Sequence, residues 1–427
     1  EYNIALGFGS LRYNSTGENN AAFGESSLYS NTTGSKNIAL GGYALYSNTT
    51  GNTNTALGYE ALYNNTTGNY NLALGYQALH ENTNGLWNIA TGYRALNKNT
   101  TGDYNIATGY LALYKNTSGN YNTAYGSWSL NNNTTGEENS AYGKSSLLSN
   151  TTGDDNVAVG SSALFSNTTG DYNTASGYQA MYSNTSGDRN TASGYQALYN
   201  TTGNYTTATG YRALYKNTSG YGNVAFGAEV LYNNTSGGYN TAIGGSSLYD
   251  NTTGNYNTAV GFSALNNNTV GYSNSALGRQ SLYSNTTGDN NTAVGESTLY
   301  SSTTGGSNTA VGDEALYNNT SGSKNTAIGP KALYQSTTAY HNVAIGTGAL
   351  GGTNITGMNY NTSNAHTIDN SNNTAIGNYA LLSNDVGSDN TAVGFDALKQ
   401  SDNDKNTAVG FRALTENTSG EYNVGIG

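Results

Sequence analysis

Cysteine is absent from the 427-residue chain, and proline occurs once. Without thiols there are no disulfide staples and no thiolate metal sites, which suits an exported protein stabilised by other means. Charge is scarce as well: Asp, Glu, Lys and Arg together make up 10% of the residues, with a formal net charge of −11. That acidic balance leaves no basic footprint for a phosphate backbone, so nucleic acid is not expected as a partner. No run of eighteen apolar residues occurs, so no membrane span is expected in this stretch, and no charged-then-apolar leader is visible before Gly9. Hydrophobic residues, at 35%, fall below the ~45–50% of ordinary globular chains. Disorder would follow if aromatics were scarce too, yet they reach 11% and include 38 tyrosines. Order must come from something other than a globular core.

What the chain has in excess is repetition. The glycine of an N-[TIV]-A-x-G motif falls at Gly7, Gly24, Gly41, Gly58, Gly75 and Gly92, in steps of seventeen residues (24 − 7 = 17). One unit reads N-T-A-x-G-Y-x-A-L-Y-x-N-T-T-G-x-Y from Asn3, and twenty-four units are followed by a partial one from Asn423. The units from Asn190 and Asn390 are each one residue short, and fourteen extra residues separate Gly346 from Gly377 (377 − 346 = 31; 31 − 17 = 14). Position five is Gly in every unit, position three is Ala except at Gly425, and position nine is Leu except at Met181. An invariant small residue marks close backbone approach, and an invariant Leu marks a filled interior.

Positions one to five read as a short strand, β-branched at two and mostly apolar at four. Side chains alternate, so positions two and four share one face and Asn, Ala and Gly share the other. We expect position four to join the position-nine Leu in a thin core. Ala at three and Gly at five should then meet a close neighbour on the opposite face, either the opposite wall of the same coil or a neighbouring chain, and such a seam favours a homo-oligomer. Positions six to fifteen, as in residues 59–68, fit either one helical turn with a Gly cap or a second short strand with a turn. A unit this short cannot bury its apolar face alone and must stack on copies of itself. The expected fold is therefore all-β, with or without one-turn helices: a parallel β-solenoid, or β-roll, of about 25 coils, on the order of 120 Å long. Residues 1–427 should form a single array, interrupted by an insertion at residues 347–372. Because the stretch starts at position sixteen and stops at position five without a polar cap, we expect it to belong to a longer fibre or to join end to end.

The strand motif, as in residues 37–41 and 257–261, resembles the head repeats of trimeric autotransporter adhesins. The longer unit, as in residues 71–79 (Asn-Leu-Ala-Leu-Gly-Tyr-Gln-Ala-Leu), resembles repeats of tail-fibre-like bacterial surface proteins. The resemblance covers essentially the whole chain. It implies a left-handed parallel β-roll assembled as a homotrimer, displayed outside the cell and used for attachment. The adhesin repeat is shorter, so the extra residues around positions ten to fifteen would alter the outer wall.

Catalysis is not expected: His80, His341 and His366 lie in separate units, and no nucleophile elbow or phosphate loop is present. His80 stands where Tyr usually does and reads as a surface substitution. Asn at position twelve opens N-T-[TS] triplets, including Asn31, Asn48, Asn65, Asn99 and Asn116. These are glycosylation sequons or, in the plainer reading, a ladder of amides bonded from coil to coil. Tyr at position ten, as at Tyr29, Tyr46 and Tyr63, makes either a glycan-binding row or a half-exposed packing ladder. The run Glu137, Asp154, Asp171 and Asp188 at position sixteen, beside Glu138 and Asp155, is a candidate Ca²⁺ site or a solvated acidic stripe. No other cofactor is expected. His366 and Asp369 in the insertion form the candidate recognition loop. The function expected is that of an extracellular structural filament or adhesin stalk whose partners are itself and surface glycans, with a carbohydrate- or ice-binding module as the alternative.

Overall fold

In the computed structural model, which describes residues 2–352 and 370–427, every unit contributes one three-residue strand, such as Thr55–Leu57. The chain forms two compact units, Glu1–Thr209 and Gly210–Gly427. Thirteen strands fall in the first and twelve in the second. Within each unit the strands pair in parallel, always with the next coil and always in the same register: Thr55 faces Leu72, Ala56 faces Ala73 and Leu57 faces Leu74. This is the parallel β-solenoid of seventeen-residue coils that the repeat demands. Among the described residues there is no helix.

The rest of each coil is neither a helical turn nor a second strand. It consists of turns whose backbone groups bond to the coils on either side. Leu62 N–H donates to Ala78 O at 3.0 Å, Asn64 N–H to His80 O at 2.9 Å, and Glu60 N–H to Gly42 O at 3.0 Å. This is possible because positions seven, nine and seventeen adopt left-handed backbone, as at Glu60 (φ 54°), Leu62 (φ 52°) and Tyr70 (φ 60°). Such φ values are uncommon for bulky residues and are held here by the neighbouring coils. Glycine at position five is required twice over. Gly58 has φ 137°, and a Cβ there would sit 2.5 Å from Gly75 O of the next coil.

The interior differs from the sequence expectation in one respect. Leu at position nine points inward as expected, with Leu62, Leu79 and Leu96 fully buried. Ala at three and eight joins it: Ala56 and Ala61 are also fully buried. Position four, however, faces out, with Leu40 46% and Leu57 43% exposed. The Asn-Ala-Gly face of the strand is the inner wall of its own coil, so close approach at Ala and Gly needs no second chain. The reason is volume. One large side chain at position nine, Ala at position three and Ala or another small residue at position eight fill the space left between two columns of buried amides.

All changes of unit length fall on one corner, positions twelve to fifteen. In the short unit from Asn190, Thr201 takes the buried site of the usual Asn, and Asn190 Nδ2 still reaches Gly203 O at 2.8 Å. The short unit from Asn390 does the same with Ser401 and Asn403. At the long insertion, residues 347–352 remain in the coil: Leu350 is buried, and its N–H donates to Ala380 O at 2.9 Å. The coil resumes at Asn370, whose carbonyl accepts Asn342 Nδ2 at 3.0 Å. The insertion's bounds are therefore narrower than residues 347–372. His366 and Asp369 lie outside the described residues.

Candidate functional site

Two amide columns run inside the coils. At position twelve, Asn65 Nδ2 donates to Asn48 Oδ1 at 2.8 Å and to Gly68 O at 3.0 Å, and Asn65 Oδ1 accepts Asn82 Nδ2 at 2.8 Å. At position one, Asn54 Nδ2 reaches across its coil to the same Gly68 O at 2.8 Å, and Asn54 Oδ1 accepts the N–H of Asn71 at 3.0 Å. One glycine carbonyl thus ties both columns together. Beside them Thr66 Oγ1 donates to Thr83 O at 2.9 Å. The N-T-T triplet is two adjacent ladders. Asn31, Asn48, Asn65, Asn99 and Asn116 are all fully buried, with their side-chain nitrogens engaged, so the folded coil presents none of them to a glycosylating enzyme.

The acidic run is likewise occupied by coil-to-coil bonding. Asp154 Oδ1 accepts the N–H of Glu137 at 2.7 Å, Asp171 Oδ1 that of Asp154 at 2.8 Å, and Asp188 Oδ1 that of Asp171 at 2.9 Å. Asn at the same position does this elsewhere, as Asn69 does for Asn52 N–H at 2.7 Å. Where position sixteen carries Asp or Asn, the charged and the neutral side chain make the same bond. Among the described residues no group of three His, Cys, Asp or Glu side chains is placed to hold a metal ion.

The position-ten aromatics stack as half-buried ladders. Tyr29, Tyr46, Tyr63 and His80 follow one another at ring separations of 5.0–5.1 Å and interplanar angles of 4–10°. His80 is therefore part of a stack, 17% exposed, with Glu60 Oε2 3.5 Å and Glu81 Oε1 3.2 Å from its ring nitrogens. Burial alone would raise the Glu81 pKa, but the Asn64 amide, His80 and Lys98 outweigh it and hold it below the usual carboxylate value. His341 lies exposed at position seventeen, in another coil.

What the sequence did not place is the outer face. Positions two and four carry no Asp, Glu, Lys or Arg in any unit, and both point away from the core. The strand is flanked two residues before by position seventeen and two residues after by position six. Over residues 59–121 the flanks are aromatic columns, from Tyr59 to Tyr110 at position six and from Tyr70 to Tyr121 at position seventeen: Tyr70 and Trp87 stack at 4.1 Å, Tyr104 and Tyr121 at 5.0 Å, Tyr76 and Tyr93 at 5.3 Å, and Tyr93 and Tyr110 at 5.2 Å. These rings remain 41–56% exposed. The signal was available in the lack of charge at positions two and four. Alternation alone could not say which face was inside. Among the described residues no helix is long and apolar enough to cross a membrane. Neither a protein-family model nor a curated protein sequence matches this chain.

Proposed function

We propose that the chain is a structural segment of an extracellular filament or adhesin stalk, built to present a long repetitive surface rather than to catalyse a reaction. The observation that supports this most is how the polar groups are used. The amides at positions one and twelve, the hydroxyl at thirteen and the acceptor at sixteen bond mainly within their coil or to an adjacent one, at the same positions in coil after coil. Such a chain gains stability by stacking and varies mostly on its outside. Self-association, as a trimer or by end-to-end joining, belongs to this reading, as does attachment to surface glycans.

The carbohydrate- or ice-binding alternative draws less support. In the aromatic columns each ring covers its neighbour's face, leaving edges and hydroxyls outward rather than the open ring faces on which a sugar stacks. The position-two column interrupts Thr with Leu72, Ile89, Ile106 and Val157, which breaks a lattice-regular hydroxyl array. Two experiments test the filament reading: electron microscopy of the purified chain, and protease shaving of intact cells that produce it. Threads or rods, released from the cell surface by protease, are expected. Compact particles retained inside the cell would overturn the proposal.

A further inference from the structure

We infer that the outward strand face of the first unit, Glu1–Thr209, is a lateral docking surface for a second copy of the same chain. The inference rests on the filament reading and names the surface through which filaments would join side by side. Three observations carry it. The face is free of charge at positions two and four through all thirteen strands, so no desolvated ion opposes its burial. Its side chains stand in columns that repeat at the inter-strand spacing, ~4.8 Å. A column of that period interdigitates best with a column of the same period, and a second copy supplies one. Paired sheets with side chains stacked at this spacing form interlocked faces.

The third observation is size. Thirteen strands at ~4.8 Å make a face about 62 Å long, and a strip ~10 Å wide over positions two to four gives roughly 620 Å². The aromatic columns flanking residues 59–121, four rings each, add about 190 Å², for a total near 810 Å² per copy. Two such faces come to about 1,600 Å², the size of a standard stable protein–protein interface. Eleven of the twenty-six side chains at positions two and four of this face are Ser or Thr, the other fifteen are apolar or Tyr, and none is charged.

Leu57→Lys combined with Ile89→Lys tests the inference in the full chain. These side chains are 43% and 37% exposed and lie two coils apart, so the backbone ladders are left intact. Thr67→Lys with Thr101→Lys, at exposed position fourteen, is the control. Light scattering and sedimentation across a concentration series should show the wild type and the control as dimers or larger. The face variant should dissociate at least ~100-fold more readily, because it buries unpaired ammonium groups. Circular dichroism establishes that the variant is folded, and Leu57→Ser with Ile89→Ser repeats the test without added charge. Assembly unaffected by either face variant would overturn this surface while leaving the filament reading standing. A monomeric wild type would overturn the inference, and if that monomer sediments with insoluble polysaccharide or adsorbs to ice, the face belongs to that occupant.

Discussion

The position-twelve ladder is broken at Ser302, which makes the ladder's contribution measurable. Ser302 stands where Asn stands in the preceding coils and is fully buried; its Oγ has no partner, nor does Asn285 Oδ1, the acceptor waiting in the coil before it. Asn319 in the following coil keeps only its bond to Gly322 O, at 3.0 Å. Ser302→Asn should restore three bonds: its Nδ2 to Asn285 Oδ1 and to Gly305 O, and Asn319 Nδ2 to its Oδ1. At roughly 0.5–1.5 kcal/mol net per bond, less about 1 kcal/mol for ordering the side chain, the gain is about 0.5–3.5 kcal/mol. Room exists because position fifteen of that coil is Gly305. Ser336 offers the contrast, since its coil has Ala339 at position fifteen. Where that geometry can be read directly, a Cβ on Gly153 would lie 2.6 Å from Asn150 Oδ1. Ser336→Asn should therefore gain nothing or destabilise. Native-state hydrogen exchange of amides in residues 285–322 reads the first variant and of those in residues 319–352 the second, and a gain of ~1.4 kcal/mol slows exchange about tenfold. If exchange is unchanged in Ser302→Asn, or if the two variants behave alike, the ladder does not stabilise the stack as argued.

Leu62→Ala should cost ~2–5 kcal/mol through lost burial and a cavity, with exchange accelerated in the adjacent coils and not in distant ones. Gln280, at position seven with φ 55°, should accept Gly with little change, whereas Gln280→Val should lower stability by about 1–2 kcal/mol in chemical denaturation, because a β-branched residue fits left-handed backbone poorly. Glu81 titrates below its unfolded value, so its carboxylate stabilises the coil at pH values above the usual carboxylate pKa, and that contribution disappears as the pH falls through the lowered folded one. Exchange around residues 64–98 should therefore accelerate on acidification to about pH 3, and Glu81→Gln should abolish that local sensitivity.

Period, strand and inward Leu were legible because each coil repeats one set of physical demands, so Leu62, Leu79 and Leu96 speak for every position nine. The facing of the strand was not legible. Leu57 is apolar and Asn54 polar, and the usual assignment places Leu inside; the amide ladder reverses it, since Asn54 satisfies its hydrogen bonds better in the column than in water. The turn region was misread for a different reason: spacing of Tyr, Leu and Tyr is compatible with a helical turn, and periodicity does not report the sign of φ. A trace of that sign was nonetheless present. Position seven is never Val, Ile or Thr in any of the twenty-four units, although β-branched residues crowd positions two and thirteen. That gap is what left-handed backbone leaves behind. Position twelve was legible in its plainer reading: Asn65 and its equivalents form an amide ladder beside a Thr ladder, and the N-T-T triplet follows from the two being neighbours.

The corner between positions twelve and fifteen gives the protein a place where chain length is not counted. A residue lost before Thr206 or Asn406, or fourteen gained before Asn373, leaves the next strand in unchanged pairing with the one before it: Thr191 faces Thr207, Thr391 faces Thr407 and Val343 faces Thr374. Phase errors therefore do not accumulate along the stack. Each coil is an independent socket at that corner, and foreign peptides grafted there one per coil would be displayed at intervals of ~4.8 Å without the strands needing to readjust.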